Sequence, residues 1–393
     1  MIELPGRSLP LSASLWTVVL AFVTGTALST SPTPLYPLYE RVFEIDAFGV
    51  SLVFAAFAAG ALVGLLVIAP RAAGLDRRTL FALACAIQAL AALVLALVPG
   101  LSGFVAGRVL TGIGVGILAP SLTVHLRALA SLAPDSWSAR SAVLVAPALS
   151  MLGLAVGPAV SGLVAPGDVE GATPLYLGYA VVLLCCAAIA PRLTRVGRPA
   201  SSGPDPRVPV PPHALIGAFV AFSVTGLFGS LAPSLVAGIE PGTAPAAVGA
   251  IVGVVFLAGA IAPLVTGRVP QLASPVAGLA SVVAGLSGVG GSLVLHSLGV
   301  FVVAAVVCGA GAGITFASSL RSALAAVGPA GAPRAAIAVF AAAYAGLAVP
   351  VIGVGRLLAV LPVPTVLAVF SVLCAGLGSA ALVGRARGRA SWG

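Results

Sequence analysis

The chain has 393 residues, 60% of them hydrophobic and 7% charged, with a mean hydropathy of +1.18 and a net charge of +9. A soluble domain is about 25% charged, so this chain cannot cover a water-facing surface, and its apolar residues suffice for about a dozen membrane spans of roughly 20 residues each. All 19 basic residues are arginine; lacking lysine, the chain has neither a P-loop nor a Schiff base of its own, and any pumping must draw on an ion gradient or a separate subunit.

In chain order, apolar runs lie near 13–36, 48–70, 79–98, 102–125, 141–164 and 173–191. The first is rich in hydroxyls, Thr24 and Ser29 among them, and is followed by an acidic segment with Glu40, Glu44 and Asp46. Ala27-Leu28-Ser29 would also serve as a signal-cleavage site. The loop after the second run reads Arg71-Ala-Ala-Gly-Leu-Asp76-Arg77-Arg78. In the fourth run, Arg108-Val-Leu-Thr111-Gly112-Ile-Gly114-Val-Gly116 places an ionisable side chain well inside a span, at a cost of roughly 2.5–3.5 kcal/mol, so Arg108 should face the bundle interior. The fifth run carries Gly153-Leu-Ala-Val-Gly157-Pro158-Ala-Val-Ser161-Gly162. Gly153 and Gly157 share one helix face and allow a close neighbour, and Pro158 removes a helical hydrogen bond.

A polar break at 192–212, rich in proline and arginine, reads as an extended linker between a bundle at 1–191 and another at 213–393. The second set of runs lies near 213–236, 246–267, 273–295, 298–320, 334–355 and 364–384. With the N-terminus in the cytoplasm, sixteen arginines fall on the inside and only Arg41 and Arg356 outside, the positive-inside pattern expected of an even span count with both termini cytoplasmic. Arginines scattered through short loops make no nucleic-acid footprint. The five cysteines lie in apolar runs and indicate neither disulfides nor a metal site.

The two sets match internally. Val23-Thr24-Gly25, Ser29 and Pro32 recur 201 residues on as Val224-Thr225-Gly226, Ser230 and Pro233. Gly112, Gly114 and Gly116 recur 197 residues on as Gly309, Gly311 and Gly313, and Gly153-Leu-Ala-Val recurs 193 residues on at Gly346. Three pairs in one order indicate a duplicated six-helix unit, which makes the first run an internal helix rather than a cleaved signal.

Six plus six helices with parallel halves resemble the major facilitator superfamily over the whole chain. The fifth-run motif resembles the Gly-x-x-x-Gly-Pro-x-x-Gly-Gly signature of its antiporters with Ser161 in place of a glycine, and Arg108-x-x-x-Gly112 resembles a motif of the drug/proton antiporter group. The loop with Asp76, Arg77 and Arg78 is a damaged copy of the gate motif, with Ala73 where the gating aspartate should stand. The resemblance implies an all-α, 12-helix fold, a hinge and seal at Gly153, Gly157, Pro158 and Gly162, and a cargo cavity lined by the first and seventh helices. On that basis the expected pathway comprises Arg108, Phe22, Thr24, Ser29, Thr111, Phe222, Thr225, Ser230, Thr315 and Tyr344.

An apolar lining with a few hydroxyls suits a hydrophobic or amphiphilic small molecule. The expectation is a monomeric, non-enzymatic exporter in the plasma (inner) membrane, without cofactor or metal, working by alternating access with proton antiport. An uncoupled facilitator, an importer and a non-transporting sensor stand as alternatives, since no carboxylate falls inside a span.

Overall fold

A segment buried in hydrocarbon must satisfy its backbone within itself, which for runs of this length leaves the α-helix. The computed structural model describes residues 8–72, 74–130, 139–164, 170–194, 209–267, 269 and 274–390, and it folds into twelve helices. These are α1 (Leu11–Phe43, with a 3₁₀ turn at Thr33–Leu35), α2 (Ala47–Arg71, with a π turn at Gly64–Ile68), α3 (Arg77–Leu97), α4 (Gly100–Ala130), α5 (Ala139–Val164) and α6 (Thr173–Arg192). The second half comprises α7 (Pro212–Ile239), α8 (Pro245–Thr266), α9 (Pro275–Val294), α10 (Leu298–Gly328), α11 (Gly331–Leu358) and α12 (Val363–Ala390). Eleven have the length and composition of a membrane span, and Ala148–Val164 of α5 adds a shorter apolar stretch. Ala73 and most of the expected linker, 195–208, lie outside the described residues.

Caps and breakers set the boundaries. Asp46 Oδ1 accepts from Gly49 N to start α2, Ser274 Oγ accepts from Ala277 N to start α9, and proline stands in the first turn of α7, α8 and α9. Gly328, at φ 69° and ψ −173°, breaks what would otherwise be one helix from Leu298 to Leu358 into α10 and α11. In α1, Pro32, Pro34 and Pro37 cannot donate to the preceding turn, and the helix tightens to 3₁₀ between Thr33 and Leu35.

Glycine sets the packing within each half. A Cβ on Gly112 or Gly116 would strike the backbone of Phe57 or Ala61, so α4 lies directly against α2. In the second half Gly309 and Gly313 meet the carbonyls of Val255 and Gly259, and α10 lies against α8 in the same way, 197 to 198 residues further on. Gly153 lies against the Val23 carbonyl of α1, and Gly346 against the Phe219 carbonyl of α7. That last pair relates α1 to α7 by 196 residues rather than the 201 read from Val-Thr-Gly. A shift of five residues turns a helix by about 140°, so the matched Val-Thr-Gly strings occupy different faces of their helices.

Candidate functional site

We call the end at which the even-numbered helices begin the upper end. There the two halves meet along α5 and α8. Gly162 lies against the Pro245 carbonyl and Gly249, Gly249 against the Pro158 carbonyl, Gly253 against Ala155, and Gly259 near Met151 Sδ. A second seam brings Gly355 of α11 against Ser51 and the Ala47 carbonyl of α2. Thr33 Oγ1 adds a hydrogen bond across the halves to the Gly229 carbonyl, 2.9 Å. Arg356, near the upper end of α11, sits with its guanidinium 5.9 Å from the Phe48 ring centre on α2.

The antiporter-like motif of α5 therefore has two faces. Gly153 and Gly157 pack inside their own half, against Thr26, Ala27 and Thr30 of α1, whereas Pro158 and Gly162 meet α8 of the other half. Ser161, the departure from the motif, has a local reason. Leu35 N bonds to the Pro32 carbonyl in the 3₁₀ turn, leaving Ser31 without the i+4 donor a helix would supply, and Ser161 Oγ donates to the Ser31 carbonyl at 2.6 Å.

Below these seams, at mid-height, a cavity lies between the halves. From the first half it takes Phe22, Thr26, Ser29 and Thr30 of α1, Phe54 and Phe57 of α2, and residues of α4 and α5. From the second half it takes Phe222, Thr225 and Gly229 of α7, Phe256 of α8, and Phe340, Tyr344 and Leu347 of α11. The related positions on α1 and α7 follow the 196-residue shift: Thr26 and Phe222, Ser29 and Thr225. Phe222, Phe316, Phe340 and Tyr344 form a chain of ring contacts at 4.8–6.2 Å behind and along one wall.

Polar groups in the cavity are few and mostly occupied as donors. Thr26 Oγ1 donates to the Phe22 carbonyl, Ser29 Oγ to Thr26, Thr30 Oγ1 to Leu154 across to α5, and Thr225 Oγ1 to Phe222. These hydroxyls keep acceptor capacity toward a ligand. The Tyr344 hydroxyl has no hydrogen-bond partner among the described residues and is the donor left for one.

Arg108 is 1% exposed and lies behind this wall rather than on it. Its Nη1 donates to the Ser29 carbonyl, and its guanidinium stands 4.9 Å from the Phe57 ring centre and 5.6 Å from that of Phe54. Nε has no hydrogen-bond partner, and no carboxylate among the described residues pairs with the cation. Both rings and Ser29 face the cavity, so a positive charge backs the wall that a ligand would touch.

Other expected pathway residues fall elsewhere. Thr111 Oγ1 bonds to the Gly107 carbonyl and Ser230 Oγ to Gly226, each satisfied within its own helix, and Thr24 is buried away from the cavity. Thr315 lines a separate cavity in the second half. Thr24 and Ser230 are the positions that the 201-residue match pairs with Thr225 and Ser29, which do line the cavity. In the gate-like loop, Arg78 Nη1 donates to the Pro191 carbonyl at 2.7 Å, tying α3 to α6 within one half, and Asp76 makes no side-chain cap to α3.

The geometry can be set beside known proteins. No curated relative matches the sequence. Among solved structures, a bacterial homolog of the human lysosomal transporter Spinster, in an inward-facing and unoccupied conformation, superposes with a TM-score of 0.63 at 14% identity, covering 95% of this chain and 94% of that one. The same homolog in an inward-facing and occupied conformation gives 0.63 at 16% identity over 96% and 91% of the two chains. At such identities the likeness shows the fold. A family model described as the Major Facilitator Superfamily matches residues 17–349, and the chain belongs to that superfamily of membrane transporters.

Proposed function

We propose that the protein is an exporter of small amphiphilic molecules in the plasma (inner) membrane, with both termini in the cytoplasm and the upper end facing out. The supporting observation is the cavity between related halves, walled by seven aromatic rings and backed by an arginine with no carboxylate partner among the described residues, beneath an upper end closed by glycine against carbonyl. Such a wall gains from burying apolar area, while the Tyr344 hydroxyl and the Arg108 field orient a polar or anionic end. Closure at the upper end leaves the lower end as the loading side, and rocking about the cavity exchanges the two.

The motif likeness suggests proton antiport as the coupling. A second reading, movement of cargo without a proton, rests on a specific observation: Arg108 has no carboxylate partner among the described residues, so no acid-base pair trades a proton beside the cavity. Uphill efflux of a fluorescent amphiphilic anion from proteoliposomes distinguishes them. Proton antiport predicts that a protonophore abolishes accumulation at zero membrane potential, the uncoupled reading that flux only equilibrates. Absence of any cargo-dependent flux would overturn both.

A further inference from the structure

Charge and hydrogen-bonding capacity together narrow what the cavity between the halves can hold. A box of aromatic faces ordinarily selects a cation, most of all a quaternary ammonium. Here that use is already taken. The Arg108 guanidinium stands 4.9 Å from the Phe57 ring centre and 5.6 Å from that of Phe54, and no carboxylate among the described residues lines the cavity to offset it. A second cation on the cavity side of those rings would face a like charge behind them.

An electron-rich ring meets the opposite balance. A cation behind a ring draws its π electrons back and leaves the cavity side less negative, which favours stacking by an electron-rich arene. Phe54 and Phe57 contact no other ring among the described residues, so their cavity sides are open to one. The second half contributes ring surface at the same place: a Cβ on Gly229 of α7 would lie 3.1 Å from the Phe54 ring and 3.8 Å from that of Phe256, so rings from the two halves close on this glycine.

Hydrogen bonding adds a direction. A serine or threonine hydroxyl has one proton to give and two lone pairs. The Ser29 proton goes to the Thr26 carbonyl at 2.6 Å and the Thr225 proton to the Phe222 carbonyl at 2.9 Å, so toward the cavity both offer lone pairs only. Thr26 and Thr30 are spent in the same way, and α5 covers their oxygens, since a Cβ on Gly153 or Gly157 would overlap them. Ser29 and Thr225, the related positions of α1 and α7, thus remain as one acceptor from each half. The Tyr344 hydroxyl, which bonds no described residue, can donate to an oxygen of the ligand.

Resting on the reading of this cavity as the cargo site, we propose that the cargo is an un-ionised phenol. Its electron-rich ring lies against Phe54 and Phe57, its hydroxyl donates to Ser29 or Thr225, and Tyr344 donates to it in turn.

The test uses the full chain in a neutral detergent with β-naphthol, β-naphthyl methyl ether, β-naphthoate and β-naphthyltrimethylammonium, at a pH where naphthol is un-ionised, read by equilibrium dialysis and by ligand-dependent thermal shift. These probes share one ring system and differ in donor and charge. One hydrogen bond of ordinary net strength changes a dissociation constant about two- to tenfold, so naphthol is expected to bind about fivefold more tightly than its ether, and the ammonium most weakly. Ser29→Ala combined with Thr225→Val should erase the preference for naphthol over the ether, while leaving the Ser29 carbonyl that Arg108 holds. Tyr344→Phe should weaken both ligands alike and keep the preference. Should the double variant not fold, the two single variants carry the test, and at least one of them must lower the preference. Equal binding of naphthol and ether, an unchanged preference in the folded double variant or in both single ones, or ammonium binding as tight as naphthol would overturn the proposal. Binding of naphthoate with no preference for naphthol overturns the phenol and leaves an exporter of anionic amphiphiles standing, whereas binding of none of the probes removes the cavity as a cargo site and both readings with it.

Discussion

Gly249→Ala is the smallest change that should move the transport cycle. In the closed upper seam a Cβ at position 249 would overlap the Pro158 carbonyl of the opposite half, and since the obstacle is backbone, no rotamer change relieves it. Overpacking of one methyl group in a close-packed contact costs about 1–3 kcal/mol, here charged only to conformations with α5 and α8 together. That is about a 5- to 150-fold change in the ratio of upper-closed to upper-open molecules. A gap of a few kcal/mol between the two states would thus be cancelled or reversed. Spin labels placed in a cysteine-free background at Ser102 and Glu240, exposed positions at the upper ends of the two halves, should report a longer distance in Gly249→Ala by electron–electron double resonance. Gly238→Ala is the matched control, because a Cβ there meets nothing within 4 Å. An unchanged distance distribution and unchanged flux in Gly249→Ala would refute the assignment of this seam as the upper gate.

Three further outcomes follow from the site. Arg108→Gln removes the charge behind Phe54 and Phe57 and should cut flux of an anionic amphiphile at least tenfold while a neutral analogue is less affected; equal loss for both, or none, argues against a field effect. Ser161→Ala leaves the Ser31 carbonyl without its donor and should cost about 1–3 kcal/mol, seen as a lower unfolding temperature in detergent; Ser161→Gly, which restores the family motif, should cost no less. Gln88 is fully buried with neither amide atom paired, so Gln88→Leu should leave the unfolding temperature unchanged or raise it, and a clear drop would show that the amide is used.

Most of the architecture is legible in the sequence because hydrocarbon permits only one structure for long apolar runs, and because Pro, Gly and Arg punctuate them. Gly112, Gly114 and Gly116 reveal the repeat, since close helix approach requires glycine in both halves at the same register. Val-Thr-Gly misleads because α1 and α7 are built from the same few small residues, and such a string recurs by chance on another face. Phe54, Phe57, Phe256 and Phe340 are not recognisable beforehand as cavity residues. In an all-apolar helix the side facing lipid and the side facing a pocket have the same composition, so no periodicity separates them. Hydroxyls mark the region better, yet Thr111 and Ser230 show that a hydroxyl in a span often only bonds back to its own helix.

Arg108 is held entirely by its own half: the Ser29 carbonyl on α1, and Phe54 and Phe57 on α2. It therefore turns with that half and does not cross from one compartment to the other. If the cation stays near the pivot and no proton is exchanged, the charge carried per cycle is the charge of the cargo itself. For a monovalent anion leaving a negatively polarised cell, the electrical work gained is about 2.3 kcal/mol per 100 mV. Membrane voltage alone would then sustain nearly a fiftyfold gradient, and the rate of export in proteoliposomes would rise with an imposed potassium diffusion potential even at equal pH on the two sides.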